Sequence, residues 1–129
     1  MSPLKTEIHG KVATLTLNRP AQMNTIDLGM AKALYEASLS FTEHSTVRAL
    51  IITGAGEKAF CAGGDLAAFN QHGEAVGEHL HEVTHYLHGA ISRFARMTLP
   101  VITAVNGVTA GGGLAFLGFP QLVLAADSA

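Results

Sequence analysis

Cysteine is scarce in this chain. The single Cys61 excludes an internal disulfide, and its default setting is a reducing, cytoplasmic compartment. Charge is scarce too. Charged residues make up 14% of the chain, with 8 Lys+Arg against 10 Asp+Glu and a net charge of -2. That balance lacks the basic footprint of a nucleic-acid binder. The apolar stretches are broken by Gly, Pro or polar residues well short of the ~18 needed for a membrane span. The amino terminus, Met1 to Glu7, lacks the apolar centre of a signal peptide. Disulfide-stapled modules, nucleic-acid partners and membrane-spanning helices are therefore set aside.

What remains is apolar and globular. Hydrophobic residues are 48% of the 129, enough for one domain with a real core and against disorder. Glycine is in excess, with 14 residues against a usual share of ~7%. Such an excess suits tight turns, or backbone brought close to a ligand.

Val12 to Leu17 alternates and reads as a strand, ended by Asn18-Arg19-Pro20, because proline cannot donate to a ladder. Asp27 is placed to cap a helix carrying Met30, Leu34, Ala37 and Phe41 at helical spacing. Val47 to Thr53 is an almost unbroken apolar run, the pattern of a strand buried on both faces. Gly54-Ala55-Gly56 closes it, and a loop follows from Glu57 to Gly64. Asp65 caps a short turn through Phe69. A long helix is predicted over Glu74–Met97, burying Leu80, Val83, Leu87, Ile91, Phe94 and Ala95. Strand Val101–Val105, a glycine-rich turn into a helix, and strand Leu122–Ala126 complete the chain. Alternating strands and helices predict an α/β fold with largely parallel strands. No segment is left to cover the last strand, so the chain reads as truncated.

Two segments are candidates for chemistry. Ala59-Phe60-Cys61-Ala62-Gly63-Gly64-Asp65-Leu66 lies just beyond a predicted strand, where α/β proteins place ligands. Val105-Asn106-Gly107-Val108-Thr109-Ala110-Gly111-Gly112-Gly113 joins a strand to a helix. Three glycines there cost helix stability, up to ~1 kcal/mol each against alanine, and leave amides that favour an anion or an oxygen becoming one. Taken singly, each segment is equally well read as a tight loop or a close helix–strand contact.

Together with Asn18-Arg19-Pro20, these segments and Pro100-Val101-Ile102-Thr103-Ala104-Val105-Asn106-Gly107 resemble the crotonase (enoyl-CoA hydratase/isomerase) superfamily, in order and spacing, along essentially the whole chain. The resemblance implies a crotonase-like spiral of β-β-α turns, with residues 1–129 its amino-terminal part, truncated before the carboxyl-terminal half. It implies an acyl-CoA thioester as substrate, with coenzyme A entering as part of that substrate and no separate cofactor or metal. It implies a homotrimer or hexamer. The implied oxyanion hole is the backbone N–H of Gly64 and of Gly112, and the implied CoA-binding stretch is Ala62, Gly63, Gly64, Asp65 and Leu66. Hydratases of this family carry a glutamate three residues after the second oxyanion glycine; here that position is Ala115. A second acid would lie beyond Ala129. Double-bond isomerisation is thus favoured over two-glutamate hydration, and a non-catalytic acyl-CoA-binding module is a further alternative.

Three other signals compete. His81-Glu82-Val83-Thr84-His85 satisfies H-E-x-x-H, which puts two histidines on one helix face with a glutamate as base of a zinc hydrolase. No glutamate follows Glu82 to serve as a further ligand, and the plain reading is a solvated helix face. Gly54-Ala55-Gly56-Glu57-Lys58-Ala59 fits the dinucleotide pattern G-x-G-x-x-A but leads into Phe60-Cys61, not into a helix. Cys61 has no partner to make it a nucleophile and reads as a small buried thiol.

Overall fold

The structure is a computed structural model describing residues 2–41 and 45–129. Strand β1 (Leu4–His9) turns at Gly10, where φ is +61°, into antiparallel β2 (Val12–Leu17). Helix α1 (Leu28–Ser40) follows, with the Asp27 carboxylate accepting from the Met30 amide at 2.8 Å as expected of an N-cap. Then come β3 (Ala49–Gly54), β4 (Ala59–Cys61), α2 (Leu66–Asn70) and the long α3 (Val76–Ala95). The chain closes with β5 (Val101–Val105), β6 (Val108–Thr109), a 3-10 turn (Gly111–Leu114), α4 (Ala115–Gly118) and β7 (Leu122–Ala125).

The main sheet has the order β1-β2-β3-β5-β7. Only β1 runs antiparallel; β2, β3, β5 and β7 are mutually parallel, with Leu15 opposite Ile52, Ile51 opposite Ile102 and Thr103 opposite Val123. A second small sheet pairs β4 with β6 in parallel. The chain therefore repeats strand, short strand, helix, which is the expected spiral of β-β-α turns. The core joins Leu15, Leu17, Leu50, Ile52 and Val101 of the sheet to Met30 and Leu34 of α1 and Val83, Leu87, Ala90 and Phe94 of α3. Each fully buried Leu or Ile contributes about 1.5–3 kcal/mol of transfer free energy. No helix among the described residues is long and apolar enough to cross a membrane.

Several expectations are corrected. The strand expected from Val47 begins at Ala49, and only one of its faces is fully buried: Leu50 and Ile52 are inside, whereas Ala49, Ile51 and Thr53 are half-buried. In α3 the inward stripe is Val83, Leu87, Ala90 and Phe94. Leu80, one turn before the buried Val83, is exposed. Ala95 is exposed because it lies about 100° around the helix from Phe94. Strands β1, β4 and β6 were not expected. The first buries only Leu4, so it shows no alternation; the others span three and two residues.

Candidate functional site

The site lies where β3 and β5 end. Beyond β3, the Gly54 amide donates to Asn106 Oδ1 at 3.1 Å, and Asn106 Nδ2 donates to the carbonyls of Gly56 (2.9 Å) and Ala59 (3.2 Å). Asn24, wholly buried, adds a third strut. Its Nδ2 donates to the carbonyls of Ala55 and Ala59, both at 2.9 Å, and its Oδ1 accepts from the Arg19 amide at 2.9 Å. A Cβ at Gly54 would lie 2.9 Å from both asparagine side chains and 2.7 Å from the Phe60 carbonyl. Only glycine lets these loops close on one another.

The first glycine loop runs out of β4 against residues 23–26. The Ala62 amide donates to the Met23 carbonyl (3.1 Å), the Ile26 amide to the Gly63 carbonyl (2.8 Å), and the Asp65 amide to the Ile26 carbonyl (3.0 Å). Gly63 sits at φ +108°, a conformation side chains resist. These bonds orient Gly64. In a trans peptide the carbonyl and the following N–H point in opposite directions, so the Gly64 N–H points away from Ile26. Among the described residues it has no hydrogen-bond partner.

The second glycine loop lies alongside the first. The Val108 amide donates to the Lys58 carbonyl and the Ala110 amide to the Cys61 carbonyl, both at 3.1 Å. The 3-10 turn then begins, with Gly111 at φ +53° and the Gly113 amide bound to the Ala110 carbonyl at 2.9 Å. The amides of Gly111 and Gly112 precede the first satisfied donor of that turn and are unpaired among the described residues.

The loops touch backbone to backbone. A Cβ at Gly63 would meet the Ala110 carbonyl at 3.1 Å and the Gly112 nitrogen at 3.5 Å; one at Gly113 would collide with the Cys61 carbonyl. Gly64 and Gly112 are themselves exposed above a floor of buried Phe60, Cys61, Gly113 and Phe116. Phe60 and Phe116 meet edge to face at 5.9 Å, and the buried Thr103 hydroxyl ties the Phe116 carbonyl to β5 at 2.7 Å. The expected helix after the glycines is only a 3-10 turn and one α turn. Local amides, rather than a long helix dipole, therefore supply the positive end.

Of the stretch Ala62 to Asp65, the amides of Ala62 and Asp65 are used internally and that of Gly63 faces the Cys61 sulfur. Gly64, exposed, offers a donor with no partner among the described residues, and Leu66 stands 73% exposed beside it. The Asp65 carboxylate caps α2 through the Ala68 amide at 3.0 Å and pairs with Arg19 at 2.9 Å. Hydrogen bonding from Ala68, then Arg19, outweighs burial and holds its pKa below the ordinary aspartate value. Burial pushes the Cys61 thiol up despite the Gly63 amide, in keeping with a small, wholly buried thiol. Ala115, the first residue of α4, places a half-buried methyl.

The competing signals fall elsewhere. His81, Glu82 and His85 lie exposed on α3; Glu82 pairs with Lys32 at 3.7 Å, and the His85 ring packs edge-on against Tyr86. No group of three His, Cys, Asp or Glu among the described residues is arranged to hold a metal ion. Gly54 to Ala59 leads into β4, not a helix. The supporting roles of Arg19, Asn24 and Asn106 were not anticipated. Their signal was faint: polar residues in the connections after β2 and β5, one of them, Asn24, at positive φ, where asparagine is favoured.

Comparison with known proteins places these features in context. The sequence profile described as Enoyl-CoA hydratase/isomerase matches residues 12–128. The chain is 38% identical over 109 residues to a mitochondrial 3-hydroxyisobutyryl-CoA hydrolase of Danio rerio, covering 81% of this chain and 28% of that protein. It is 39% identical over 119 residues to the 1,2-epoxyphenylacetyl-CoA isomerase of Escherichia coli, covering 92% and 45%. The crystal structure of an enoyl-CoA hydratase from Bacillus anthracis superposes with a TM-score of 0.89 at 30% identity, covering 98% of this chain and 48% of that one. The chain thus spans less than half the length of these relatives.

Proposed function

Because the chain belongs to the enoyl-CoA hydratase/isomerase family, we propose that it binds an acyl-CoA thioester and that the amides of Gly64 and Gly112 receive the thioester oxygen. The observation that carries this reading is the pair of unpaired donors on touching backbones. When an α-proton leaves, the thioester carbonyl gains negative charge, so donors aimed there stabilise the transition state more than the ground state. Each such donor contributes about 2.7–4 kcal/mol at an oxyanion. Glycine suits the role because no side chain obstructs the approach. Ala62, Gly63, Gly64, Asp65 and Leu66 line the CoA side in the same reading.

The reaction proposed is double-bond isomerisation. Ala115 stands where a hydrating glutamate would, and a methyl neither activates nor orients water. The acid or base is then supplied by the part of the relatives' length that this chain does not span. The assembly proposed is a trimer or hexamer of identical subunits, in a reducing compartment, with no cofactor beyond the substrate's own coenzyme A.

The test is turnover by the whole protein. A 3-enoyl-CoA should be converted to its 2-enoyl isomer, the α-proton being lost and deuterium from D₂O appearing at the γ-carbon (C4) of the product. Rapid hydration of a short 2-enoyl-CoA would overturn the isomerase reading. Failure to bind any acyl-CoA by calorimetry would overturn the site itself.

A further inference from the structure

One guanidinium holds residues on both sides of the Gly64 support, Thr25 next to Ile26 and Asp65 next to Gly64. Arg19 Nη1 donates to the Thr25 carbonyl at 2.7 Å and to Thr25 Oγ1 at 3.3 Å. Its Nη2 donates to Asp65 Oδ2 at 2.9 Å and lies 3.3 Å from Asp27 Oδ2. Both carboxylates have a second duty, since Asp27 caps α1 and Asp65 caps α2. The Arg19 side chain is 17% exposed, so solvent screens these pairs only in part.

The hydrogen bonds form a directed chain. Across the trans peptide of Thr25 and Ile26, the carbonyl faces Arg19, and the Ile26 N–H points the other way, to the Gly63 carbonyl at 2.8 Å. Across the next peptide, the Gly63 carbonyl faces Ile26 and the Gly64 N–H points away, unpaired. Hydrogen bonds in series polarise one another in the same sense. A cation at the head of this chain strengthens the donor at its tail.

We infer that Arg19 is a positioning residue for the Gly64 donor, setting both the aim and the strength of that amide. The inference rests on the oxyanion reading above. Arg19 also offsets the charge of Asp65, whose carboxylate would otherwise oppose an oxyanion forming at the adjacent amide. A capping role for Asp65 needs only the Ala68 amide; the reach of Arg19 to Thr25 is additional to it.

The test uses the whole protein and butyryl-CoA carrying ¹³C at the thioester carbonyl, a saturated probe that cannot isomerise. Isotope-edited infrared spectra report the carbonyl stretch, which falls as donors polarise it. The wild-type protein should lower the band most, Arg19→Lys less, and Arg19→Gln and Arg19→Met least. For Arg19→Gln, kcat for isomerisation should fall roughly tenfold or more with KM changed by less than about threefold. A purely structural role would lower thermal stability and leave the band where it was. The wild-type band in a folded Arg19→Gln or Arg19→Met protein overturns the inference. Should neither neutral variant fold, Arg19→Lys carries the comparison, since it keeps the charge without the two-armed reach, and a wild-type band there overturns the inference equally. An unshifted band in the wild-type protein would sink the oxyanion reading, and the inference with it.

Discussion

Asn24 and Asn106 share one acceptor: both side-chain amides donate to the carbonyl of Ala59, at 2.9 and 3.2 Å. They come from different connections, Asn24 from the loop between β2 and α1 and Asn106 from the turn after β5, 82 positions apart in numbering (106 minus 24). Their common target is the first residue of β4, which leads directly into the first glycine loop. The alignment of the two glycine loops therefore depends on one amide side chain at the start of the second loop and one outside both.

Replacing Asn24 tests this dependence. Asn24→Ala leaves the Arg19 amide and the Ala55 carbonyl without this partner and puts alanine at φ +53°. Stability should fall by about 2–4 kcal/mol in urea denaturation. Asn24→Gly tolerates the φ but loses the same bonds, so it should recover only a minor part. Full recovery by glycine would show that strain, rather than hydrogen bonding, governs the position.

Gly112 and Gly113 should separate function from fold. Nothing lies within 4 Å of a Cβ at Gly112, whereas one at Gly113 meets the Cys61 backbone. Gly113→Ala should cost about 1–3 kcal/mol of stability by overpacking. Gly112→Val should unfold at nearly the wild-type urea midpoint and yet lose about 10²-fold or more in kcat/KM, because its side chain occupies space meant for the carbonyl. Equal destabilisation by both substitutions would contradict this division.

Acid should act through Asp65. Its folded-state pKa is lowered, first by the Ala68 amide and then by Arg19. A depressed carboxylate contributes stability that is present above the unfolded value, about 3.9, and is lost as pH falls through the folded one. Asp65→Asn should therefore show a flatter decline in thermal midpoint below about pH 4 than the wild type. Parallel acid limbs in the two proteins would remove Asp65 from the account.

Zinc should be absent from the purified, chelator-washed protein, and His81→Ala should leave its metal content unchanged. The reason is geometric: His81 and His85 share an exposed helix face with no third ligand grouped with them among the described residues. Stoichiometric zinc lost in His81→Ala would reverse this.

Much of the architecture was legible in residue order alone. Periodicity over Val12–Leu17 and Val101–Val105, and the caps Asp27 and Asp65, specify their elements through local physics: side-chain alternation, and a carboxylate reaching an amide three residues on. The two glycine-rich segments were legible as sites where backbone must lie bare. Local pattern failed where the deciding contact was not local. Strand β4 exists because β6, about 50 residues on, pairs with it, and Leu80 is exposed although Val83, one turn on, is buried.

What the sequence determined by itself is the alternation of elements and the family likeness, since both follow from residue types at fixed spacings. Only the tertiary structure decided which amides stay free. Ala62, Gly63, Gly64 and Asp65 are consecutive and chemically similar as backbone, yet Ala62 and Asp65 spend their N–H groups on Met23 and Ile26, Gly63 turns its own toward the Cys61 sulfur, and the Gly64 N–H has no partner among the described residues. That outcome depends on Met23 and Ile26 occupying one side of the loop, with the planar peptide turning the remaining donor to the other, and a one-dimensional pattern contains no record of which side that is.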